Sequence, residues 1–590
     1  MKSSCFPASA AADEEESGAA LVPPPPDDPL PGAAAPPCKV VVVNDDDVTP
    51  GVLERQSSSS TTTSPKPPWW KTAVVSPTKR QGAVWVVIGG LVLLAVLVGT
   101  TWIDLTAASS FLPGTGGGIS GGRHHHPPQR RRPRASPTST QIPIPFDCAA
   151  AAANGTTSLC SPRPRSPPPP TSATAEEAHS PAPPPPTCPD YFRYIHSDLS
   201  PWRASGGITL PTLERAIPHA AFRLTVVSGR AYVETYHRAF QTRDVFTQWG
   251  ILQLLARYPG RVPDLDAMFN LEDMPEIFRN DADGNPAPPP PPLFRYCKDG
   301  GDSVEILFPD WSFWGWPEVN IRPWAPLMEN FVRENRALPW QNREPFAFWK
   351  GNPYVSNARK DLFKCNNDSA AGKEFNARLF DVDWRAASRN GFKDDGSTNL
   401  AKQCKYRYKI YVQGRSWSVS EKYILACDSP MLAIDTSFRD FFSRGLVAGE
   451  HYWPIDPAEK CDAVKFAVDW GNKHPRETMR LGEEGSRFAR EEMGMDFVYD
   501  YMLHVLTEYA ALLRYKPTVP EKAVELCPEA MACGAEGRER EFMMESRERH
   551  VAGYEPCSLP PPFTKEETRD MDAREQEVRR KVVKMEKAGS

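Results

Sequence analysis

Residues 82–103 read GAVWVVIGGLVLLAVLVGTTWI and carry no charged side chain. A helix needs ~20 apolar residues to cross the hydrocarbon core of a bilayer. A buried core helix of that length would show a polar face, and this segment has none. The stretch therefore predicts a single transmembrane helix. Trp85 and Trp102 lie near its ends, where interfacial aromatics gather. Lys66, Lys71, Lys79 and Arg80 precede it, whereas the first basic residue after it is Arg123. That bias puts the N-terminus in the cytosol and residues 104–590 in the secretory lumen, the type II orientation. The apolar run starts too late and is too long for a cleaved signal peptide.

Other features fit a lumenal placement. Of the 13 Cys, only Cys5 and Cys38 precede the span. An oxidising compartment would pair many of the rest, and their odd number leaves at least one thiol unpaired within the chain. Asn154-Gly-Thr156 and Asn367-Asp-Ser369 are glycosylation sequons, so Asn154 and Asn367 are candidate glycan sites. The terminal Lys-Ala-Gly-Ser is no soluble ER-retrieval signal, so anchor and stem together suggest the Golgi more than the ER. The net charge is −5 and points to no nucleic-acid partner.

The chain has 63 Pro, most of them before Cys188. Pro-rich sequence buries too little apolar surface to offset its ordering entropy. Residues 1–81 thus read as a disordered cytosolic tail, and 104–187 as a Pro-rich lumenal stem. His124–His126 in that stem lack a Cys or carboxylate at ligand spacing and read as linker. Order begins at Cys188. Residues 221–236 predict a hairpin around Ser228-Gly229, 244–258 a helix, and 262–271 a strand. The Pro-rich loop 286–292 reads as an insertion. Further on, 405–412 predicts a strand, 420–426 a helix, 431–434 a strand and 483–515 one long amphipathic helix. Alternating strands and helices imply α/β lobes with parallel sheets over 188–520. The remainder, 521–590, reads as a charged tail ending in a helix that need not pack.

Four segments carry possible chemistry. In Asn270-Leu-Glu-Asp273-Met-Pro275 a carboxylate follows a buried strand, where α/β folds place ligands and where it could deprotonate a hydroxyl. The alternative is a turn or cap residue. Pro309 to Trp316 holds Trp311, Phe313 and Trp314, which suit either a sugar or peptide platform or a core cluster. Phe348-Trp-Lys350-Gly351-Asn-Pro, followed by Arg359, has the strand, Gly turn and base of an anion site. Residues 406–422 run from a strand through Gly414 into a Ser-rich helix start. Arg407, Gly414, Ser418, Ser420 and Lys422 are candidate phosphate contacts there. An ordinary helix cap is the competing reading. Asp381-Val-Asp383 has the form many metal-dependent glycosyltransferases use, yet reads better as a solvated loop.

In series, CPDYFRYI, NLEDMP, PDWSFWGWPEVNI, FWKGNP, CKYRYKIYVQGRSWSVSEKYILACDS, EHYWPI and YMLHVLTEYAALLRYKP resemble glycosyltransferase family 90 across 188–517. That family includes Rumi-type protein O-glucosyltransferases and capsule-associated xylosyltransferases, and the chain looks like a plant-type, membrane-anchored member. The resemblance implies a GT-B-like fold of two Rossmann-like lobes. The base lobe would span about 188–330, the nucleotide lobe about 331–490 and the closing helix about 483–515. It also implies inverting transfer from a UDP-sugar, with no metal or other cofactor. Asp273 matches the family's catalytic base, 414–422 its diphosphate loop, Arg359 a basic position near the nucleotide, and His451-Tyr452 a strand-end pair beside it. Lys350, Asn352 and Lys422 depart from residues the family commonly has, and Lys lacks the bidentate fork of Arg.

The donor is expected to be UDP-glucose or UDP-xylose, which differ by one hydroxymethyl group. The acceptor is expected to be a hydroxyl on protein Ser or Thr, or on a glycan. A second reading is a lumenal sugar-nucleotide or glycan-binding protein that keeps the fold without turnover. A third, a structural anchor built on the stem, predicts no nucleotide binding.

Overall fold

The computed structural model describes residues 141–148, 160, 185–279, 288–301, 303–366, 374–392 and 399–589. The predicted cytosolic tail, the apolar segment 82–103, most of the stem and both sequons lie outside them. Among the described residues no helix is long and apolar enough to cross a membrane.

Two sheets dominate. The strands are β1 (Phe222–Val227), β2 (Arg230–Thr235), β3 (Leu265–Phe269), β4 (Phe294–Arg295), β5 (Lys298–Asp299), β6 (Ile306–Leu307), β7 (Glu344–Gly351), β8 (Ala377–Asp381), β9 (Tyr406–Tyr411), β10 (Met431–Ile434), β11 (Phe438–Arg439), β12 (Tyr452–Ile455) and β13 (Val524–Leu526). The first sheet has the order β13-β2-β1-β3-β4-β6, and the second β12-β10-β9-β7-β8. A short antiparallel ribbon, β5 with β11, joins residues 298–299 to 438–439.

The first sheet is mixed. β1 pairs antiparallel with β2 and β3, whereas β3, β4 and β6 run parallel. Its register is marked by a ladder of facing rings. Phe222 lies opposite Phe269, and Phe269 opposite Phe294, with both ring pairs stacked at 4.9 Å. The ladder puts a large apolar face on one side of three adjacent strands, which a one-residue slip would turn outward. β3 is buried throughout, and its polar Asp266 is answered by a two-point ion pair with Arg223 at 2.7 and 2.5 Å.

The second sheet is wholly parallel. In sequence the chain lays β8 on one side of β7, then β9 and the later strands on the other. The order therefore reverses between β7 and β9. In open parallel sheets ligands lodge at such a switch point, outside the carboxyl ends of the strands. The fold is thus α/β with one mixed and one wholly parallel, Rossmann-like sheet; the antiparallel strands of the first depart from the parallel sheets expected in both lobes.

The hairpin and the 431–434 strand fall where the sequence predicts them, and the 244–258 helix shifts by one residue at each end to Arg243–Arg257. The single helix expected over 483–515 is instead two, Pro475–Glu491 and Met495–Ala510. Gly494 separates them with a φ of −57° and ψ of 150°, outside helical space. The second helix packs on the first sheet, where Tyr509 donates to the Asp266 carbonyl at 3.0 Å.

The segments expected to hang free are also anchored. Val524–Leu526 adds an edge strand to β2. Disulfides Cys148–Cys533, Cys160–Cys527 and Cys188–Cys557 tie residues before the first sheet to residues after the last helix of the core, closing loops of 385, 367 and 369 residues. Cross-links of that span remove much freedom from the unfolded chain. The terminal helix Lys565–Gly589 packs rather than floats, with Val582 buried and Arg579 bonded to Asp435 at 3.0 Å. Cys365–Cys461 and Cys404–Cys427 pair within the second half, and Cys297 is the free thiol among the described residues.

Candidate active site

The segment after β3 carries Asp273. Asn270 shapes its start, accepting the Glu272 N–H at 2.8 Å. Arg243, in the first turn of the Arg243–Arg257 helix, donates to the Leu271 carbonyl at 2.8 Å and to Asp273 Oδ1 at 2.9 Å. The Arg243 guanidinium lies 4.5 Å above the Trp311 ring. Arg295 of β4 donates to the Glu272 carbonyl at 2.9 Å and to the Met274 carbonyl. Asp273 keeps 27% side-chain exposure, against 7% for Arg243. The segment is thus a backbone loop held by two buried guanidiniums, with the Asp273 carboxylate half-buried between the exposed Glu272 and Glu276.

Across from it lies the switch point. β7 ends in Gly351, where a Cβ would sit 2.7 Å from the Trp349 ring. Lys350 precedes it, half-buried at the same strand end. Asn352 caps the turn that follows, and Ser356 caps the short helix Asn357–Leu362. Arg359 projects from that helix and bridges three segments. It donates to the Gln413 carbonyl at 3.0 Å, the Asn352 carbonyl at 3.3 Å and Ser418 Oγ at 3.0 Å. Burial pulls the Arg359 guanidinium down to about 10, partly offset by its electrostatic interaction with nearby Tyr411 and the Asp273 carboxylate. Gly414 is required by close approach, since a Cβ there would meet the Trp417 carbonyl at 2.8 Å. Ser418 and Ser420 share a hydroxyl contact at 2.9 Å. Gly351, Arg359, Gly414, Ser418 and Ser420 therefore converge.

The two loops touch. Ser416 Oγ, from the Gly414 turn, donates to the backbone carbonyl of Asp273 at 2.5 Å. Two cavities lie nearby, one of about 620 Å³ along β10 beside the β5–β11 ribbon and one of about 520 Å³ over the ends of β9 and β10. Neither is lined by Asp273 or Arg359. Gln413, whose carbonyl binds Arg359, lines the smaller one.

Several expected site residues lie elsewhere. Trp311, Phe313 and Trp314 are buried to 1%, 0% and 0% exposure, so they offer no ligand platform. They are floor, with Trp311 under Arg243 and Trp314 Nε1 bonded to Tyr499 at 3.0 Å. Lys422 is spent on a buried ion pair with Asp310 at 2.8 Å and sits over the Phe313 ring. Arg407 starts β9, away from its carboxyl end. It stacks on Trp340 and bonds Asn472 and the Gln341 carbonyl. His451 precedes β12 at its amino end, buried against Phe488, and its Nδ1 accepts the Val447 N–H at 2.9 Å. Burial lowers that imidazole to about 4. Asp383 caps the Trp384–Arg389 helix, so the Asp-x-Asp segment is an exposed turn, as expected. The cluster Cys188, Cys557 and His504 has metal-ligand side chains, yet both thiols are spent in a disulfide. Sequence reasoning missed Arg243, Arg295 and Ser416. The string GRSWS contains Ser416 but does not reveal which of its hydroxyls turns inward.

The Asp273 carboxylate thus lies within electrostatic reach of the buried Arg359 at the switch point. Residues 184–586 match the sequence profile of Glycosyl transferase family 90. The chain belongs to this family of glycosyltransferases. Its similar relatives include human Protein O-glucosyltransferase 1, 24% identical over 350 residues, which covers 56% of this chain and 82% of that protein. The O-glucosyltransferase rumi of Drosophila pseudoobscura pseudoobscura is 24% identical over 356 residues, 58% of this chain and 82% of that protein. Protein O-glucosyltransferase 2 of Danio rerio is 26% identical over 352 residues, 56% and 64% respectively.

Proposed function

We propose that the chain is an inverting glycosyltransferase that moves glucose or xylose from a UDP-sugar to a hydroxyl of a protein or glycan acceptor. The observation that carries this reading is the contact between the Asp273 backbone and the Gly414–Ser418 loop, which brings the loop that carries the carboxylate to a turn that Arg359 bonds. Arg243 engages Asp273 Oδ1 and leaves Oδ2 to the acceptor. In the proposed step Oδ2 takes the hydroxyl proton as the acceptor oxygen bonds to the anomeric carbon. The bond from that carbon to the diphosphate oxygen breaks on the opposite face, which inverts the centre. UDP leaves with the bonding pair. Arg359, Ser418 and Ser420 are suited to receive its charge.

Protein acceptors are favoured by the human and Danio rerio relatives, which are called protein O-glucosyltransferases. Five disulfides and the apolar segment 82–103 support a lumenal, membrane-anchored enzyme, in Golgi or ER. The proposed chemistry needs no metal, so a chelator should leave turnover unchanged.

The test is UDP release by the full chain from UDP-glucose, UDP-xylose and UDP-galactose, with Asp273→Asn alongside. Turnover on one of the first two donors, lost in the variant, is the expected result. Turnover that survives the substitution removes Asp273 from its role. One observation favours the second reading, a sugar-nucleotide-binding protein without turnover. Two of the four expected cations, Arg407 and Lys422, are engaged elsewhere. UDP binding with no transfer to any acceptor would select it.

A further inference from the structure

The Asp273 segment has no regular secondary structure, so side chains set its shape. Most come from its own half. Arg243 and Arg295 hold its carbonyls, and Glu305 Oε1 accepts the N–H groups of Glu276 at 2.6 Å and Ile277 at 2.9 Å. The carbonyl of Asp273 itself is held from the other half, by Ser416 at 2.5 Å. Ser416 is fully buried, two residues past Gly414 and two before Ser418, whose hydroxyl meets Arg359.

Cys297 completes the contact. Its Sγ lies 3.2 Å from the Asp273 carbonyl and 3.2 Å from Ser416 Oγ. It stands just after β4, which carries Arg295. Burial pushes this thiol up to about 12, so at neutral pH it is an S–H donor rather than a thiolate. It also stays unpaired while ten other cysteines form disulfides. Carbonyl, hydroxyl and thiol form a closed triangle where both side chains are fully buried and hydrogen bonds are strengthened by the low dielectric.

We propose that Ser416 and Cys297 are positioning residues that couple the Gly414–Ser418 turn to the placement of the Asp273 carboxylate. The proposal rests on the reading of Asp273 as the base. A diphosphate seated on Ser418 and Arg359 fixes the turn. The turn fixes Ser416, and Ser416 fixes the backbone from which the carboxylate projects. A donor-loaded turn thereby sets the base in register with the sugar, and a displacement of ~1 Å at such a base lowers turnover by ~10²-fold.

The experiment compares Ser416→Ala, Cys297→Ala, Cys297→Ser, their double Ala variant and Asp273→Asn in the full chain, reading kcat, donor KM and UDP affinity. Ser416→Ala should lower kcat by ~10–100-fold while donor KM and UDP Kd stay within about twofold. Cys297→Ser keeps a donor at that position and should stay within about threefold of the parent. Cys297→Ala should lose several-fold, and the double variant should lose less than the product of the singles, as partners in one contact do. A kcat unchanged in Ser416→Ala while Asp273→Asn is inactive overturns the coupling and spares the base. Full activity in Asp273→Asn overturns the base reading first. Equal loss of kcat and UDP affinity in Ser416→Ala marks a merely structural bond and also overturns the proposal. Should Ser416→Ala fail to fold, Ser416→Cys and Cys297→Ala carry the same comparison.

Discussion

The two sheets present their loops differently. In the second sheet all strands run parallel, so the turns after β7, β9 and β10 gather at one edge. The Gly351, Arg359 and Gly414 segments meet there because the topology collects them. In the first sheet only β3, β4 and β6 run together, and the antiparallel strands β1, β2 and β13 serve the body of the fold. Asp273 follows β3, the first strand of that parallel trio. Each half therefore contributes its candidate residues from the carboxyl end of a parallel strand. One edge is built by topology and the other by two buried arginines that shape a loop. On the proposed reading the first kind of edge binds the donor and the second does the proton chemistry.

That comparison can be broken at several points. The largest effect is expected at Lys422. If it serves the fold rather than the donor, Lys422→Ala strands Asp310 as a buried lone charge. Denaturant unfolding should then show a loss of ~3–5 kcal/mol. A normal unfolding midpoint with a raised donor KM would return Lys422 to the site. Next is Arg359→Ala, which removes a charged donor from the parallel edge. Steady-state kinetics should show donor KM raised ~10–100-fold and less change in kcat.

A smaller effect is expected with pH. His451 is held neutral in the fold, at about 4, below its usual 6.5. The unfolded chain binds that proton first as pH falls, so the stability is full above about 6.5 and is lost on the way down to 4. Between pH 6.5 and 5.5 the loss from this group should be ~1 kcal/mol, read as the difference in unfolding free energy. The smallest effect is at Arg407, where Arg407→Gln should leave donor KM within about twofold, because that side chain stacks on Trp340 at the far end of β9.

The sequence discloses what neighbours decide. The Ser228-Gly229 turn fixes the β1–β2 hairpin, and the left-handed φ of 51° at Ser228 and 74° at Gly229 shows why those residues mark it. Met431–Ile434 is legible because its short apolar run follows the turn residues Asp428-Ser-Pro430 and ends at Asp435. Gly351 and Gly414 are legible as glycines because the Trp349 ring and the Trp417 carbonyl leave no room for a Cβ. The failures involve partners far along the chain. Lys422 looked like a phosphate ligand because its partner, Asp310, lies 112 residues earlier. Trp311, Phe313 and Trp314 stay open in sequence between platform and core because a string of aromatics does not say which side it faces. The anchoring of 521–590 was hidden because disulfide connectivity cannot be read from Cys spacing. The odd cysteine count did foretell a free thiol, though not that it would be Cys297 beside Asp273.

The central claim is that donor binding and proton transfer are divided between the two edges. It is tested most directly by calorimetric titration of UDP into the full chain carrying Asp273→Asn or Arg359→Ala, with transfer measured on the same preparations. The account predicts that Asp273→Asn binds UDP with the parent affinity and loses ~10²–10⁴-fold in transfer. Arg359→Ala should bind UDP ~10–100-fold more weakly and keep measurable transfer at saturating donor. Parent-like UDP binding by Arg359→Ala, or loss of UDP binding in Asp273→Asn, would contradict it.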